Sequence, residues 1–89
     1  MKHQELISII EIPMVEKKSM DSLIKALDPD NKLAPKGIVI DIQKESEYLK
    51  IIIKAKKSVE LLTFRNTIDD LLEHIATLLK VLNTLAKKR

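Results

Sequence analysis

The 89-residue sequence contains no cysteine and no tryptophan, and its only glycine is Gly37. Without cysteine, the chain can form no disulfide, no thiolate zinc site and no cysteine nucleophile. A single glycine cannot build a glycine-rich phosphate loop, so we do not expect the chain alone to hydrolyse nucleotides. Tyr48 and Phe64 are the only aromatic residues. These shortages also tell against RNA-binding domains that clamp RNA with a glycine-rich loop or stack bases on exposed aromatic rings.

Long apolar runs are absent as well. The longest purely aliphatic run is Ile51-Ile52-Ile53, which is too short to cross a bilayer, and the start of the chain lacks the design of a signal peptide. We therefore expect a soluble, cytoplasmic protein with no membrane contact. At this length, residues 1–89 are expected to form one domain with a modest aliphatic core and little room for a deep active site.

Sixteen lysine and arginine residues against thirteen aspartate and glutamate residues give a formal net charge of +3. This excess permits contact with phosphate groups but does not require it. Two basic clusters stand out, one at Lys54, Lys56 and Lys57 and the other at residues 87–89. Solvated lysines beside helices explain both clusters without a ligand, and cationic residues also suit a helix C-terminus. Both interpretations stay open.

The first part of the chain predicts a strand and a short helix. Residues 5–12 are rich in β-branched side chains and end at Pro13, which cannot donate to a sheet ladder, so we predict a strand there. Between residues 16 and 27, apolar side chains recur at the spacing of an amphipathic helix. We expect this helix to end near Asp28, because Pro29 biases the residue before it away from helical dihedral angles.

The second part predicts a hairpin and a long helix. Isoleucines alternate over residues 38–43, and a second alternation over residues 48–55 follows a short polar turn, which indicates two paired strands. Ser58 stands where a helix N-cap is expected, and the helix continues to Lys87. The element order β-α-β-β-α predicts an α+β fold, in which a three-stranded sheet carries two helices on one face. More than one strand order remains open.

The long helix carries an apolar stripe with alternating steps of three and four, formed by Leu61, Phe64, Ile68, Leu71, Ile75, Leu78, Leu82 and Leu85. A helix of thirty residues spans roughly 45 Å, whereas strands of about eight residues span about 26 Å. We therefore expect part of the stripe to lie beyond the sheet, where a partner subunit covers it. The residues expected at this partner or dimer interface are Leu71, Ile75, Leu78 and Leu82. The alternative is a helix that curves over its own sheet and frays at its end.

Two further residues on this helix invite a functional interpretation. Arg65 borders the stripe, where its stem can pack while its guanidinium pairs with a carboxylate across an interface or reaches solvent. His74 is the one serious candidate for acid–base or metal chemistry, with Asp70 and Glu73 nearby on the helix. These carboxylates fall mainly on the side away from the stripe, so we expect a solvated charged face and no catalytic, cofactor or metal site. A small enzyme centred on His74 is the opposing hypothesis.

Two short motifs, taken in this order of elements, resemble a known family. The string Leu27-Asp28-Pro29-Asp30-Asn31 is explained by itself as a helix stop, but it is similar to the family signature Leu-x-Pro-Asp-Asn. Residues 64–72 are similar to the family's second-helix pattern, in which a hydrophobic residue and Arg precede an apolar residue and Asn. Phe64 stands where the family favours Leu, and Asp69 where it favours Asn. The family is the CTAG/Pcc group, the small dimerisation subunit of the KEOPS (EKC) complex, here of archaeal type.

The resemblance covers about residues 5–87 and implies a non-catalytic scaffold. Family members dimerise, and their helices dock a hydrophobic helical part of the threonylcarbamoyl-transferase subunit. The whole complex installs threonylcarbamoyl on the adenosine beside the anticodon of ANN-decoding tRNAs. The implied partners are therefore a second copy or a close paralogue, the transferase subunit and, through the complex, tRNA. The resemblance makes Pro29, Asp30 and Asn31 family-motif residues.

A competing hypothesis is a small basic module that binds nucleic acid directly. Its surface would be the lysine-bearing strand face, on which Lys50 and Lys54 alternate with apolar residues. Lys54, Lys56 and Lys57 are the candidates for a contact with tRNA under either hypothesis.

Overall fold

The structure, a computed structural model, describes the backbone of residues 5–87 and the side chains of residues 5–84. Its five elements follow one another in the predicted order. They are β1 (Leu6–Pro13), α1 (Lys17–Lys32), β2 (Ile38–Lys44), β3 (Tyr48–Ala55) and α2 (Leu61–Lys87). The predicted α+β fold with a long C-terminal helix is confirmed.

The three strands form one antiparallel sheet in the order β1-β3-β2. β2 and β3 form the predicted hairpin, which the N–H of Glu45 closes by donating to the carbonyl of Tyr48 at 3.0 Å. β1 pairs with the other side of β3, because α1 carries the chain from β1 to the parallel strand β2 across the sheet. The strand order that the sequence left open is thus decided by a crossover over the central strand.

Both helices pack on one face of the sheet. Buried and exposed residues alternate along the strands, as the pleat dictates, and on β3 the buried residues Leu49, Ile51, Ile53 and Ala55 are fully covered. The helices add to the same core three residues each: Met20, Leu23 and Leu27 from α1, and Phe64, Leu71 and Ile75 from α2. The other face of the sheet is bare among the described residues. We call it the open face.

α1 runs through Pro29 and ends at Lys32, so the prediction that it stops near Asp28 is wrong. Pro29 has no N–H and cannot bond to the carbonyl of Lys25. The last turn is nonetheless held, because the N–H of Leu33 donates to the Pro29 carbonyl at 2.9 Å and Lys32 pairs with Asp28 at 3.0 Å. One missing helical bond does not end a helix whose last turn also has tertiary contacts.

α2 begins at Leu61, so the predicted N-cap at Ser58 is also wrong. The N–H of Phe64 donates to the carbonyl of Glu60 at 3.0 Å, which makes Glu60 the residue before the first turn. A separate turn precedes it, and the half-buried Val59 of that turn packs against the core. Val59 thus lies in this turn and not in the first turn of α2.

Candidate interaction surfaces

The centre of the apolar stripe on α2 packs on its own sheet. Leu71 and Ile75 are only 2% and 4% exposed and belong to the core, so the expectation that these two form a partner interface needs correction. Both residues lie in the part of α2 that packs on the sheet, and the apolar stripe of this part faces the strands. Leu78, which packs against the core, and Leu82 are half-buried and keep some surface.

A second apolar row runs along one side of α2 and shares Leu61 and Ile68 with the stripe. It consists of Leu61, Ile68, Leu72 and Leu79, and their steps of seven, four and seven residues place them on one side of the helix. We call this row the α2 flank. Leu61 is 62% exposed and Leu72 is 43% exposed, while Ile68 and Leu79 are half-buried. Arg65 is exposed at the border of the α2 flank and forms no salt bridge with any described residue.

α2 is also longer than the sheet beneath it. Its 27 residues span about 40 Å, whereas the strands of eight residues span about 26 Å. The described molecule extends 56 Å along its longest axis. Val81, near the far end of α2, is exposed. Apolar helix surface therefore remains uncovered both at this end and along the α2 flank.

Asp30 and Asn31, at the end of α1, hold three elements together. Nδ1 of His74 lies 2.8 Å from Oδ2 of Asp30, and Oδ1 of Asn31 accepts a hydrogen bond from the N–H of Ile40 at 2.8 Å. The end of α1 is thus attached to the middle of α2 and to β2. The interpretation of the string as only a helix stop is wrong. The neighbouring Asp70 and Glu73 are exposed, as expected of a solvated charged face, whereas His74 is half-buried against Asp30. Asp30 and His74 are 44 positions apart, so no local pattern signals their contact.

An open cleft of about 510 Å³ lies between the end of α1, the following loop and α2. Its lining includes the carboxylates of Asp30 and Asp70, His74 and the hydroxyl of Thr67. That hydroxyl donates to the carbonyl of Thr63 at 2.8 Å, and the imidazole bonds to Asp30. Among the residues with described side chains, no hydroxyl is hydrogen-bonded to the imidazole as a nucleophile would be. Among the residues with described positions, no group of three or more His, Asp or Glu side chains is arranged to hold a metal ion.

Of the two predicted basic clusters, the one at Lys54, Lys56 and Lys57 lies at one end of the sheet, and the other, at residues 87–89, falls outside the described side chains. Lys54 projects from β3 on the open face, between Ile7 and Val39, and Lys56 and Lys57 follow it in the turn before α2. The N–H of Lys56 donates to the carbonyl of Gly37 at 2.9 Å, which brings the neighbouring, exposed Lys36 to the same end. The four lysines, Lys36, Lys54, Lys56 and Lys57, are all exposed, and we call them the lysine cluster. Lys36 was not predicted, because it joins the others only through strand pairing.

The open face combines apolar and charged side chains. In one row across the sheet, Ile9 of the edge strand β1 lies opposite Ile52 of β3. On the other side of β3, Asp41 of β2 lies opposite the same Ile52. One row further along, Glu11 lies opposite Lys50. The charged side chains of this face, Glu11, Asp41, Lys50 and Lys54, balance in sign. The apolar residues are Ile7, Ile9, Val39 and Ile52.

Comparison with known proteins gives no relative, since no family model and no curated protein matches the chain. Over the part of the chain that the structure describes, no helix is both long enough and apolar enough to cross a membrane.

Proposed function

We propose that this protein is a non-catalytic scaffold subunit that associates with a second copy of itself and docks a helical partner through α2. Following the family resemblance, the assembly is a KEOPS complex and the helical partner is its threonylcarbamoyl-transferase subunit. The chain then supports threonylcarbamoyladenosine formation at the adenosine beside the anticodon of ANN-decoding tRNAs. The proposal rests on two motifs in the expected order of elements and on surfaces that suit protein partners.

The observation that carries the proposal is the α2 flank. Its exposed leucines, Leu61 and Leu72, have no covering element among the described residues. Full burial of a leucine side chain contributes about 1.5 to 3 kcal/mol, so covering these residues favours association.

The spacing of the α2 flank suits a helix as partner. Its steps of seven, four and seven match the repeat by which one helix presents a ridge to the groove of another. Arg65 borders this ridge with its guanidinium unengaged among the described residues, and it is therefore positioned to pair with a partner carboxylate or helix C-terminus.

The neighbours Leu61 and Leu62 provide a matched test. They are 62% and 67% exposed, but their side chains point about 100° apart around the helix, and only Leu61 lies on the α2 flank. We expect Leu61→Glu and Leu72→Glu to lower the affinity for the purified transferase subunit at least tenfold, as measured by calorimetry. Leu62→Glu should bind that subunit with nearly the affinity of the unmodified protein. Equal binding by all four proteins would reject the α2 flank as the docking surface. A charge at Ile75 is unsuitable, because Ile75 is buried in the core.

A functional measurement complements the binding test. The transferase complex is reconstituted with and without this chain, and threonylcarbamoyladenosine is quantified by mass spectrometry of the digested tRNA. We expect the yield to fall when the chain is omitted or replaced by Leu72→Glu. Unchanged modification without the chain would contradict a supporting role in this reaction.

Direct binding of nucleic acid is the second candidate, and the lysine cluster favours it. Four exposed lysines converge at one end of the sheet, where a phosphate backbone can approach them together. Replacing Lys54, Lys56 and Lys57 with glutamine should then flatten the dependence of tRNA affinity on salt, by about 0.7 to 0.9 in the log–log slope for each phosphate that is no longer neutralised. The control is Lys17→Gln, at the start of α1. If the isolated chain binds no tRNA at low salt, the second candidate is rejected.

A further inference from the structure

The open cleft beside α2 has the size of a small-ligand site. Its volume of about 510 Å³ falls within the range of about 300 to 1,000 Å³ that proteins use for small ligands. The end of α1 and the loop after it form one wall, and α2 forms the other. The buried residues Ile40 and Leu71 lie at its base. The proposed scaffold function makes no use of this cleft.

Two carboxylates meet in one part of the cleft. Oδ2 of Asp30 lies 2.8 Å from Nδ1 of His74, and Asp70 precedes His74 by one helical turn, so both carboxylates lie beside the same imidazole. Oδ1 of Asp30 and both carboxylate oxygens of Asp70 form no hydrogen bond or ion pair with any described residue. We call Asp30, Asp70 and His74 the acidic end. Its free carboxylate oxygens remain available to a ligand.

The cleft is acidic although the protein is basic overall. Lysine and arginine make up 16 of the 89 residues, yet none of the eleven described lining residues is lysine or arginine. The Thr67 hydroxyl adds a further acceptor, because it gives its proton to the Thr63 carbonyl and keeps its lone pairs. A ligand that complements this lining must bring positive charge and hydrogen-bond donors.

The wall opposite α2 is apolar. Leu33 is 82% exposed, which makes it the most exposed large apolar side chain among the described residues, and Ala34 and Pro35 continue the wall. A methylene chain that packs on this wall removes apolar surface from water, which contributes about 25 cal/mol per Å². Along α2, the lining from Asp70 back to Thr63 rises about 10 Å, which leaves room for a chain of several carbons.

We propose that the cleft binds a small aliphatic amine, with its primary ammonium group at the acidic end and its methylene chain along Leu33 and Pro35. An ammonium group carries three donors and no acceptor, which matches the free oxygens of Asp30 and Asp70. Linear polyamines such as spermidine belong to this chemical class. The inference goes beyond the proposed scaffold function and does not depend on it.

The cleft and the α2 flank lie on different sides of α2. Asp70 of the cleft and Leu72 of the α2 flank are two positions apart, so their side chains point about 160° apart around the helix. A partner that docks on the α2 flank therefore leaves the cleft open to solvent. This arrangement favours a free amine over a lysine side chain of that partner as the occupant.

Ligands that differ only in their head group test the charge. We expect spermidine and hexylamine, titrated into the unmodified full chain at low salt, to shift the amide resonances of Asn66, Thr67 and His74 saturably. Hexan-1-ol and hexanoate carry a similar chain without the cation and should bind at least about tenfold more weakly than hexylamine. Equal binding of hexan-1-ol and hexylamine would overturn the proposal. So would the lack of a saturable shift with either amine at tens of millimolar.

Two neighbouring aspartates provide matched variants. Asp70→Asn removes a carboxylate from the cleft, whereas Asp69→Asn removes the same charge from an exposed residue outside its lining. We expect Asp70→Asn to raise the dissociation constant of spermidine at least about threefold, and Asp69→Asn to leave it nearly unchanged. Equal effects would show a general attraction of amines to acidic helix surface and overturn the site.

Two exposed leucines test the apolar wall. Leu33→Ala should weaken binding of hexylamine but not of methylamine, which has the ammonium group without the chain. Leu62→Ala truncates a leucine that is 67% exposed outside the lining and should change neither. Unchanged binding of hexylamine to Leu33→Ala would overturn the placement of the chain along this wall. Circular dichroism verifies that each variant is folded. If Asp70→Asn does not fold, shifts of the unmodified chain that are confined to the cleft support the proposal, and shifts spread over the whole chain overturn it.

A last experiment separates a free amine from a lysine side chain of a docked partner, since both carry an alkylammonium group. Spermidine should bind with unchanged affinity when the purified transferase subunit is present in excess. Loss of spermidine binding in its presence would assign the cleft to that partner and overturn the proposal. Leu72→Glu, which is expected to lose docking, should bind spermidine normally. Failure of docking therefore leaves the amine site intact, and failure of amine binding leaves the proposed scaffold function intact.

Discussion

Nδ1 of His74 lies 2.8 Å from Oδ2 of Asp30, and this contact joins the last turn of α1 to the middle of α2. The next residue, Asn31, bonds to the backbone of Ile40 on β2. Two consecutive side chains thus attach one helix end to two other elements. This arrangement gives Asp30 and Asn31 a structural purpose, which is to position α1 against the sheet edge and against α2.

The contact between His74 and Asp30 should contribute modestly to stability. Because both side chains are partly exposed, at 38% and 23%, we expect His74→Ala and Asp30→Ala each to lower the free energy of unfolding by about 0.5 to 1.5 kcal/mol. Urea denaturation of both variants and the double variant measures this. The double variant should lose less than the sum, and full additivity would contradict a direct interaction. Glu73→Ala, an exposed neighbour, is the control.

The same substitution distinguishes a scaffold from an enzyme. If the proposed function is correct, His74→Ala should leave the modification rate of the reconstituted complex within about twofold once folding is verified. Loss of a catalytic acid or base typically costs about 10²- to 10⁴-fold. A fall of that size in a folded variant would favour the hypothesis of an enzyme centred on His74. The rate of threonylcarbamoyladenosine formation is the measurement.

Asn31 should stabilise the edge of β2 through its side-chain oxygen. Asn31→Ala removes the acceptor for the N–H of Ile40, and we expect a loss of about 1 kcal/mol in unfolding free energy and faster amide exchange at Ile40. Asn31→Asp retains an acceptor oxygen and should keep slow exchange. Equal exchange rates at Ile40 in both variants would show that the side chain does not protect this amide.

Gly37 should not tolerate a side chain. Its φ of +93° is rarely adopted by other residues, and an added Cβ would lie 2.8 Å from Cγ2 of Val59. We expect Gly37→Ala to lower the unfolding free energy by more than about 1 kcal/mol. Combining it with Val59→Ala removes the clash but not the strained backbone, so the pair should lose less than the sum of the two single variants. Thermal denaturation of the three variants tests this.

Two nearby residues on α2 should differ sharply on truncation. Ile75→Ala opens a cavity in the core and should cost about 2 to 5 kcal/mol, whereas Leu72→Ala, at 43% exposure, should cost well under half of that in the isolated chain. For binding of the partner we expect the opposite order. Leu72→Ala should weaken binding more than Ile75→Ala, because Leu72 lies on the α2 flank. Similar stability losses for both would contradict the burial assigned to them.

Local patterns predicted the elements better than their ends. The alternation over residues 38–43 and 48–55 identified both strands of the hairpin, because the pleat repeats every two residues regardless of what the sheet contacts. The helix ends predicted from Pro29 and Ser58 were wrong, because local preferences there competed with tertiary contacts. The cost of a proline or a missing cap is small enough for such contacts to outweigh it.

The candidate surfaces were predicted less well than the fold. The apolar stripe showed that α2 packs on something, but its centre, at Leu71 and Ile75, proved to be core. Which row of an amphipathic helix remains uncovered depends on how the helix rotates against the sheet. A single sequence carries the stripe but not that rotation.

The sequence by itself determined the class of fold, the long helix and the exclusion of thiolate, glycine-loop and aromatic-platform chemistry, because these depend on composition and on short periodicities. Only the tertiary structure decided the strand order, the contact of Asp30 with His74 and the cleft between the end of α1 and α2. Each of these joins residues that are far apart in the chain. Their proximity follows from how α1 crosses the sheet, and no local pattern encodes that path.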